Sequence, residues 1–519
     1  MSLTCGDLIK RGAALYGNQP AILFEHREFT FSEQASRMYR LANALLTLGL
    51  KKQERVAILA RNCSEYIEIF GAGEVAGFIA VNLNCRLSTK ELAAICQDCQ
   101  PSVLIFADEF AGAAIEIGAQ VSSIRIQVAL HNDESSDLKY EDVLAGASAD
   151  VPAVQSKPSD IAYIMYTSGT TGGSKGVMIS HAAMVEATRM LSHECGVLSS
   201  DKALIVMPLF HLGGKIEQMN FSLMGAQIVL KSQFEPVDVV ETIARERITA
   251  AHFAPIMIQR VLDELDAKPY DFSALRCVHY ASAPMPVPLL KRAIARLGPI
   301  FTQVYGMTEC LSCTVLKAHC HVLDGSEDDR RRLGSAGQPL LGNDVRILHD
   351  DGTACEPGEI GEIVIRSPTV MNGYWNKSML TAEVLRDGWM ITQDLGFVDD
   401  GGYVYVVDRK KDMIISGGEN IYSWEVEEVL RGHPDVAEVA VIAVPDLKWG
   451  ESVKACVQLR PGSLATDTGL IEYTRERIAS YKKPRSIDFL DALPRLFNGK
   501  IDKKALRAPY WASRDRQVS

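Results

Sequence analysis

The densest concentration of chemistry-bearing residues is Tyr166-Thr-Ser-Gly-Thr-Thr-Gly-Gly-Ser-Lys-Gly-Val177. Glycines allow backbone amides to close on phosphate oxygens, while hydroxyls and a lysine supply further donors. This is not a Walker loop, because Lys175 stands between Ser174 and Gly176 instead of following Gly and preceding Ser or Thr. A second cluster, Gln303-Val-Tyr-Gly-Met-Thr-Glu309, sets a hydroxyl beside a carboxylate. Next to bound phosphates, Glu309 could hold Mg²⁺. In Gly388-Trp-Met-Ile-Thr-Gln-Asp394 a carboxylate is placed that can accept both hydroxyls of a ribose. Two further clusters are Val407-Asp-Arg-Lys-Lys-Asp-Met-Ile-Ile-Ser-Gly-Gly-Glu-Asn-Ile421 and Leu493-Pro-Arg-Leu-Phe-Asn-Gly-Lys500.

These clusters need rigid elements behind them. Short β-branched runs alternate with amphipathic stretches up to about Pro152, as in Arg55-Val-Ala-Ile-Leu-Ala, then Glu65 to Val75, then Phe78-Ile-Ala-Val-Asn. The rhythm resumes at Ala203-Leu-Ile-Val-Met, Ala226 to Leu230, Ile248 to Phe253 and Arg276 to Tyr280. Such alternation predicts two doubly wound parallel α/β halves. Between Gly337 and Tyr405 the turn signals Asp350-Asp-Gly, Glu356-Pro-Gly-Glu, Asp387-Gly and Asp399-Asp-Gly-Gly predict a β-rich subdomain. Beyond the charged joint Asp408-Arg-Lys-Lys-Asp412 follows a small α/β module, with strands at Glu438–Val444 and Val453–Leu459 and a helix near Leu470 to Ser480. The expected division is a large domain over 1–409 and a small mobile one over 410–519. From Arg507 onward the chain reads as a loosely held tail.

Composition removes several function classes. The chain of 519 residues carries 54 basic against 65 acidic residues, a net charge of −11, which argues against nucleic-acid binding. No apolar run approaches the length of a spanning helix; the best, Ile67 to Leu83, is interrupted by Glu68 and Glu74. The first residues do not read as a secretory signal, and twelve scattered cysteines suggest reduced thiols, so a cytoplasmic location is expected. Two signals are discounted. Cys310-Leu-Ser-Cys313 with His319-Cys320-His321 has metal-like spacing. Gly71-Ala-Gly73-Glu-Val-Ala-Gly77 nearly matches a dinucleotide fingerprint, but lies in a helical pattern and reads as a small-residue packing face.

Taken in this order and at these separations, the five clusters resemble the adenylate-forming superfamily of acyl-CoA synthetases, adenylation domains and beetle luciferases, over essentially the whole chain. Supporting marks are Met207-Pro-Leu-Phe-His211, Ala283-Pro284 and Trp449-Gly-Glu451. The resemblance implies a carboxylic acid, ATP and CoA as small-molecule partners, with Mg²⁺, and a reaction through an acyl-adenylate. It implies that Thr167, Ser168, Gly169, Thr170, Thr171 and Lys175 grip phosphates, that Thr308 meets the α-phosphate, and that Glu309 takes the metal. Ser282, Ala283, Pro284 and Tyr305 would frame the adenine, and Asp394 and Arg409 the ribose. Lys500 would reach the attacking carboxylate, Lys411 would be the hinge, and Gly417 and Gly418 would line a pantetheine tunnel. His211 would gate the acyl pocket, walled by the segments of Gly213, Gly214, Tyr280 and Gln303. Small residues after His211 favour a medium or longer fatty, alicyclic or aryl acid over acetate. The chain departs from the pattern at Ser174 (usually Pro), Gln393 (usually Gly) and Asn498 (usually Ser or Thr). Transfer to a carrier protein and a non-catalytic nucleotide-binding relative are the alternative readings. The oligomeric state stays open, a homodimer being one option.

Overall fold

The computed structural model describes residues 2–131, 138–167, 174–495 and 500–512. Two compact units divide the chain: residues 1–345 with 365–390, and residues 346–364 with 391–519. The fold is mixed α/β, as the alternation of short apolar runs and amphipathic stretches predicts.

In the first unit two sheets carry the parallel strands. A six-stranded sheet runs in the order Ile126–Ala129, Val103–Phe106, Arg55–Leu59, Ile79–Asn82, Ile161–Thr167 and Lys175–Ser180. Its neighbours are parallel except for the last two, which form an antiparallel hairpin. A nine-stranded sheet has a parallel centre of Phe301–Met307, Cys277–Tyr280, Ala250–Phe253, Lys202–Ile205, Gln227–Leu230 and Pro20–Phe24. Antiparallel strands close each edge. The central strands are buried on both faces, which is why they read as continuous apolar runs.

The Ser64–Ala76 helix is buried all round, yet it carries three carboxylates. Each has a partner: Glu65 meets Arg27, Glu68 meets Arg37 and the Tyr140 hydroxyl, and Glu74 meets Lys215 and the Tyr163 hydroxyl. Pairing is what makes their burial tolerable. The helical reading of the Gly71–Gly77 segment holds. A Cβ on Gly71 would stand 2.3 Å from Met38 Sδ, and Gly77, with φ +77°, is the left-handed residue that stops the helix.

Within the second unit, the latter part of Trp389–Val398 pairs antiparallel with Val404–Arg409, setting Asp394 opposite Arg409. A sheet of Glu419–Ile421, Ile414–Ser416, Gly450–Leu459, Val436–Asp446 and Ser486–Phe489 follows. The helix expected near Leu470 to Ser480 spans Asp467–Arg475. The expected loose tail needs correction: Lys503–Trp511 is a helix, Arg507 pairs with Asp412 at 2.6 Å, and Trp511 Nε1 donates to Ala443 O at 2.9 Å.

Candidate active site

Thr167 and Lys175 face each other across the hairpin, so the Gly/Ser/Thr loop between them is the connection of two paired strands. Its residues Ser168, Gly169, Thr170 and Thr171 lie outside the described residues, as do Asn498 and Gly499. A segment around Met371–Lys377 runs beside the second strand of the hairpin. Asn372 N donates to Met178 O, Met178 N to Gly373 O, and Trp375 N to Gly176 O, at 2.7–3.0 Å. Lys377 Nζ reaches Ser174 O at 3.2 Å. This brings the Tyr374 ring under the Lys175 ammonium, 5.2 Å from the ring centre.

Tyr374 also ties in the second cluster. Its hydroxyl donates to Glu309 Oε1 at 2.9 Å, and Met371 N donates to Glu309 O at 2.8 Å. Burial, then the Glu309 charge, raises the Tyr374 phenol, so this hydroxyl stays a donor. Glu309 is 9% exposed and follows the Phe301–Met307 strand through a tight turn. Gly306 is required there, because a Cβ would lie 1.9 Å from Leu311 O. Glu309 offers a carboxylate of which one oxygen is held by the Tyr374 hydroxyl, and carboxylate oxygen is the donor type a hard divalent cation takes, so the chemistry of Glu309 fits Mg²⁺. Tyr374 and Lys377 escaped sequence reasoning, since Gly-Tyr-Trp-Asn-Lys carries no chemical spacing of its own.

Two residues past the Cys277–Tyr280 strand stands Ser282, whose φ of +73° places a non-glycine residue in the left-handed region. Ala283 is partly and Pro284 largely exposed beyond it. His211 is the N-cap of the Leu212–Met224 helix, its ring 4.8 Å from that of Phe210. The two glycines that follow do different things. A Cβ on Gly214 would meet Pro208 O at 2.4 Å and Met207 O at 2.8 Å, so its small size serves helix packing against backbone. A Cβ on Gly213 would sit 3.4 Å from His252 Cε1 and 4.0 Å from Ser282 Oγ. Tyr280 and Gln303, expected as pocket wall, stand together on the face opposite His279. Tyr280 is wholly buried among Phe301 and its neighbours, with its hydroxyl 3.0 Å from His321 Nε2 and 3.3 Å from Gln303 Oε1. The reason is strand alternation: adjacent positions point to opposite faces.

His321 is occupied by that contact and by Lys317 O at 3.0 Å, and burial pushes its imidazole down to about 4. The thiols of Cys310 and Cys313 lie against each other, Sγ to Sγ 2.8 Å. Among the described residues the cysteines and histidines of 310–321 are not gathered into a ligand set; only the mostly exposed His349, Cys355 and Glu359 lie close together.

In the second unit Asp394 is 5% exposed, with Arg409 Nε 3.2 Å from its Oδ1 and its own N–H donated to Thr392 Oγ1 at 3.0 Å. Gln393 has φ +62°, the conformation for which the family's usual glycine is suited. Lys500 lies close enough to Arg409, Asp394 and Lys411 for their charges to act on it. Burial, then Arg409 and Lys411, push its ammonium down to about 8 against the opposing pull of Asp394. Burial likewise lowers Lys411. Lys410 is tied to Asp350 at 2.8 Å and Glu362 at 3.1 Å. Behind the joint, Asp408 accepts from Ser423 N and Oγ at 2.7 Å, and Lys503 joins Glu427 at 2.7 Å and Ser423 Oγ at 2.6 Å. Gly417 and Gly418 both have positive φ, +64° and +88°, and a Cβ on Gly417 would strike Trp449 Cε3 at 2.5 Å.

Comparison with known proteins agrees with this inventory. Residues 9–375 match the AMP-binding enzyme family and residues 425–500 the AMP-binding enzyme C-terminal domain. A feruloyl-CoA synthase of Amycolatopsis is 37% identical, covering 96% of this chain and 97% of its own. An indoleacetate–CoA ligase of Aromatoleum aromaticum is 36% identical, with the same coverage of 96% and 97%. The o-succinylbenzoate CoA synthetase of Bacillus subtilis, solved in complex with its acyl-adenylate intermediate, superposes with a TM-score of 0.85 at 31% identity, covering 98% of each chain. No helix among the described residues is long and apolar enough to cross a membrane. The chain belongs to the AMP-binding enzyme family, within the adenylate-forming superfamily of acid–thiol ligases.

Proposed function

We propose that the protein is an ATP-dependent carboxylic acid:CoA ligase acting on a medium or long fatty, alicyclic or aryl acid. The observation that carries this reading is the partly buried Lys500 beside Asp394 and Arg409, its ammonium pushed down to about 8. In the first step a carboxylate oxygen attacks the α-phosphorus of ATP. The new P–O bond forms as the bridging α–β bond breaks, and pyrophosphate leaves with that electron pair. Lys500 supplies a cation where two anions converge. Asp394 accepts from the ribose hydroxyls with Arg409 holding its carboxylate, and Ser282, Ala283, Pro284 and Tyr305 frame the adenine.

Thr167, Ser168, Gly169, Thr170, Thr171 and Lys175 receive the β- and γ-phosphates, and Thr308 the α-phosphate. Tyr374 positions both Lys175 and Glu309. Glu309 would hold Mg²⁺, which neutralises phosphate charge when bound. In the second step the CoA sulfur attacks the acyl carbon. A C–S bond forms, the C–O bond to phosphate breaks, AMP departs and the thiol proton passes to solvent. His211 gates the acid pocket, Lys411 is the hinge about which the residues after it reorient, and Gly417 and Gly418 give the pantetheine arm close passage along backbone.

The test is pyrophosphate release across a panel of carboxylic acids, with and without CoA. Acid-dependent release, with thioester formed only when CoA is present, is expected. Release without any thioester would shift the acceptor to a carrier protein.

A further inference from the structure

Side chains of the Leu212–Met224 helix reach the Ala250–Phe253 and Cys277–Tyr280 strands. His252 and His279 are register partners on these parallel strands, so their side chains project together toward the helix. Glu217 descends from the helix to meet them. Its Oε1 lies 3.0 Å from His279 Nδ1 and 4.0 Å from His252 Nδ1. The three are 2%, 1% and 3% exposed for Glu217, His279 and His252.

Charge in the cluster is balanced. Burial works against the imidazolium of His279, but Cys277, the Glu217 carboxylate and Cys195 together outweigh it and hold His279 well above the ordinary histidine range. Glu217 is held below the carboxylate range despite its burial, chiefly by His279. At His252 burial dominates and pushes the ring down, so it is neutral. Neither ring nitrogen of His252 makes a hydrogen bond of good geometry among the described residues, the Gly213 backbone acting on the ring only weakly. A polar atom left in that state costs about 1–3 kcal/mol, which a bound group able to hydrogen-bond would recover. The edge that carries these nitrogens is aimed at a defined place: Cε1, the atom between them, is the one that faces Gly213, with Ser282 Oγ alongside.

We infer that the His252, Glu217 and His279 cluster is a polar wall of the acid pocket, and that it selects carboxylic acids bearing a neutral oxygen, a hydroxyl or keto group, away from the reacting carboxylate. This rests on the ligase reading above. Complementarity excludes the other classes. The Glu217–His279 pair is already neutralised internally, so an added charge of either sign would be buried without a counter-charge of its own, and a plain hydrocarbon would leave His252 without a good hydrogen bond. A hydroxyl accepts from the His252 N–H or donates to its bare nitrogen, and a ketone accepts.

The test uses matched acids: cinnamate with 4-hydroxycinnamate, cyclohexanecarboxylate with 4-oxocyclohexanecarboxylate, and decanoate with 10-hydroxydecanoate. Pyrophosphate release should favour the oxygenated member of at least one pair by tenfold or more in kcat/KM. His252→Leu should lower that ratio about tenfold, while His252→Gln, which keeps a donor and an acceptor, should keep most of it. Should His252→Leu fail to fold, Gly213→Val gives the same reading, because its methyl groups screen the His252 edge and must cost the oxygenated acid more. Equal rates within every pair, or a preference that survives loss of His252, overturns the polar wall and leaves the ligase reading intact. Release from no acid at all overturns the ligase reading itself, and this inference with it.

Discussion

On the proposed reading, Lys500 should make the first half-reaction sensitive to pH in a range where a lysine ordinarily does not titrate. Burial, then the neighbouring Arg409 and Lys411, bring its ammonium down to about 8, with Asp394 opposing them. The protonated form is the one that stabilises two converging anions, so activity is present below that value and lost as pH rises through it. A single group at 8 is roughly nine-tenths protonated at pH 7 and roughly one-tenth at pH 9, so kcat/KM for adenylation should fall about tenfold between them. The assay is continuous pyrophosphate release at subsaturating acid, over pH 6.5 to 10. The same residues set the direction of two shifts. Asp394→Asn removes the charge that favours the ammonium and should move the midpoint down, whereas Arg409→Gln removes a repelling cation and should move it up. Lys500→Arg, whose guanidinium keeps its charge throughout, should flatten the descending limb. A wild-type profile level up to pH 9.5, or shifts of the opposite sign, would refute the reasoning.

Tyr374→Phe removes the hydroxyl that holds buried Glu309 and should raise KM for ATP at limiting Mg²⁺ about tenfold; excess Mg²⁺ should recover part of the loss. Gly214→Ala forces a Cβ to within 2.4 Å of Pro208 O and should destabilise the protein by about 1–3 kcal/mol in denaturant unfolding, while Gly213→Ala fits and should alter only the acid profile. Lys215→Met leaves the Glu74 carboxylate buried beside Tyr163 without its cation, and unfolding should show a loss of about 3–5 kcal/mol.

Much of the site was legible because its residues sit where strands end. The Thr167 to Lys175 hairpin, the Tyr305 to Glu309 turn and the Asp394 strand each announce themselves by glycine, hydroxyl and carboxylate in a short window. The unusual Gln393 is informative in the same way, since its φ of +62° is the backbone state that the family's glycine supplies. What stayed hidden depends on facing and on distance in the chain. A strand buried on both faces has no polar alternation, so nothing local said that Tyr280 and Gln303 turn away from the Leu212–Met224 helix while His279 turns toward it. Tyr374 lies 65 residues from Glu309, and only the pairing of its segment with the Lys175–Ser180 strand brings it there. The Lys503 to Glu427 pair behind the joint is likewise a product of folding, joining a late helix to an early one. The final helix was missed because Pro509 and its charged neighbours mimic a tail.

The central claim, that acyl transfer proceeds through an adenylate whose formation depends on Lys500, is tested most directly by separating the half-reactions in Lys500→Ala. A cation at ~4 Å with an effective dielectric near 20 is worth ~4 kcal/mol, a factor of about 10³ in rate. The attack of a thiol on a mixed anhydride brings no second anion toward the phosphate in the same way. Pyrophosphate release from acid and ATP should therefore fall by about 10³, while supplied acyl-adenylate and CoA yield thioester at close to the wild-type rate. Equal loss of both half-reactions in a folded variant, or no loss of either, would contradict it.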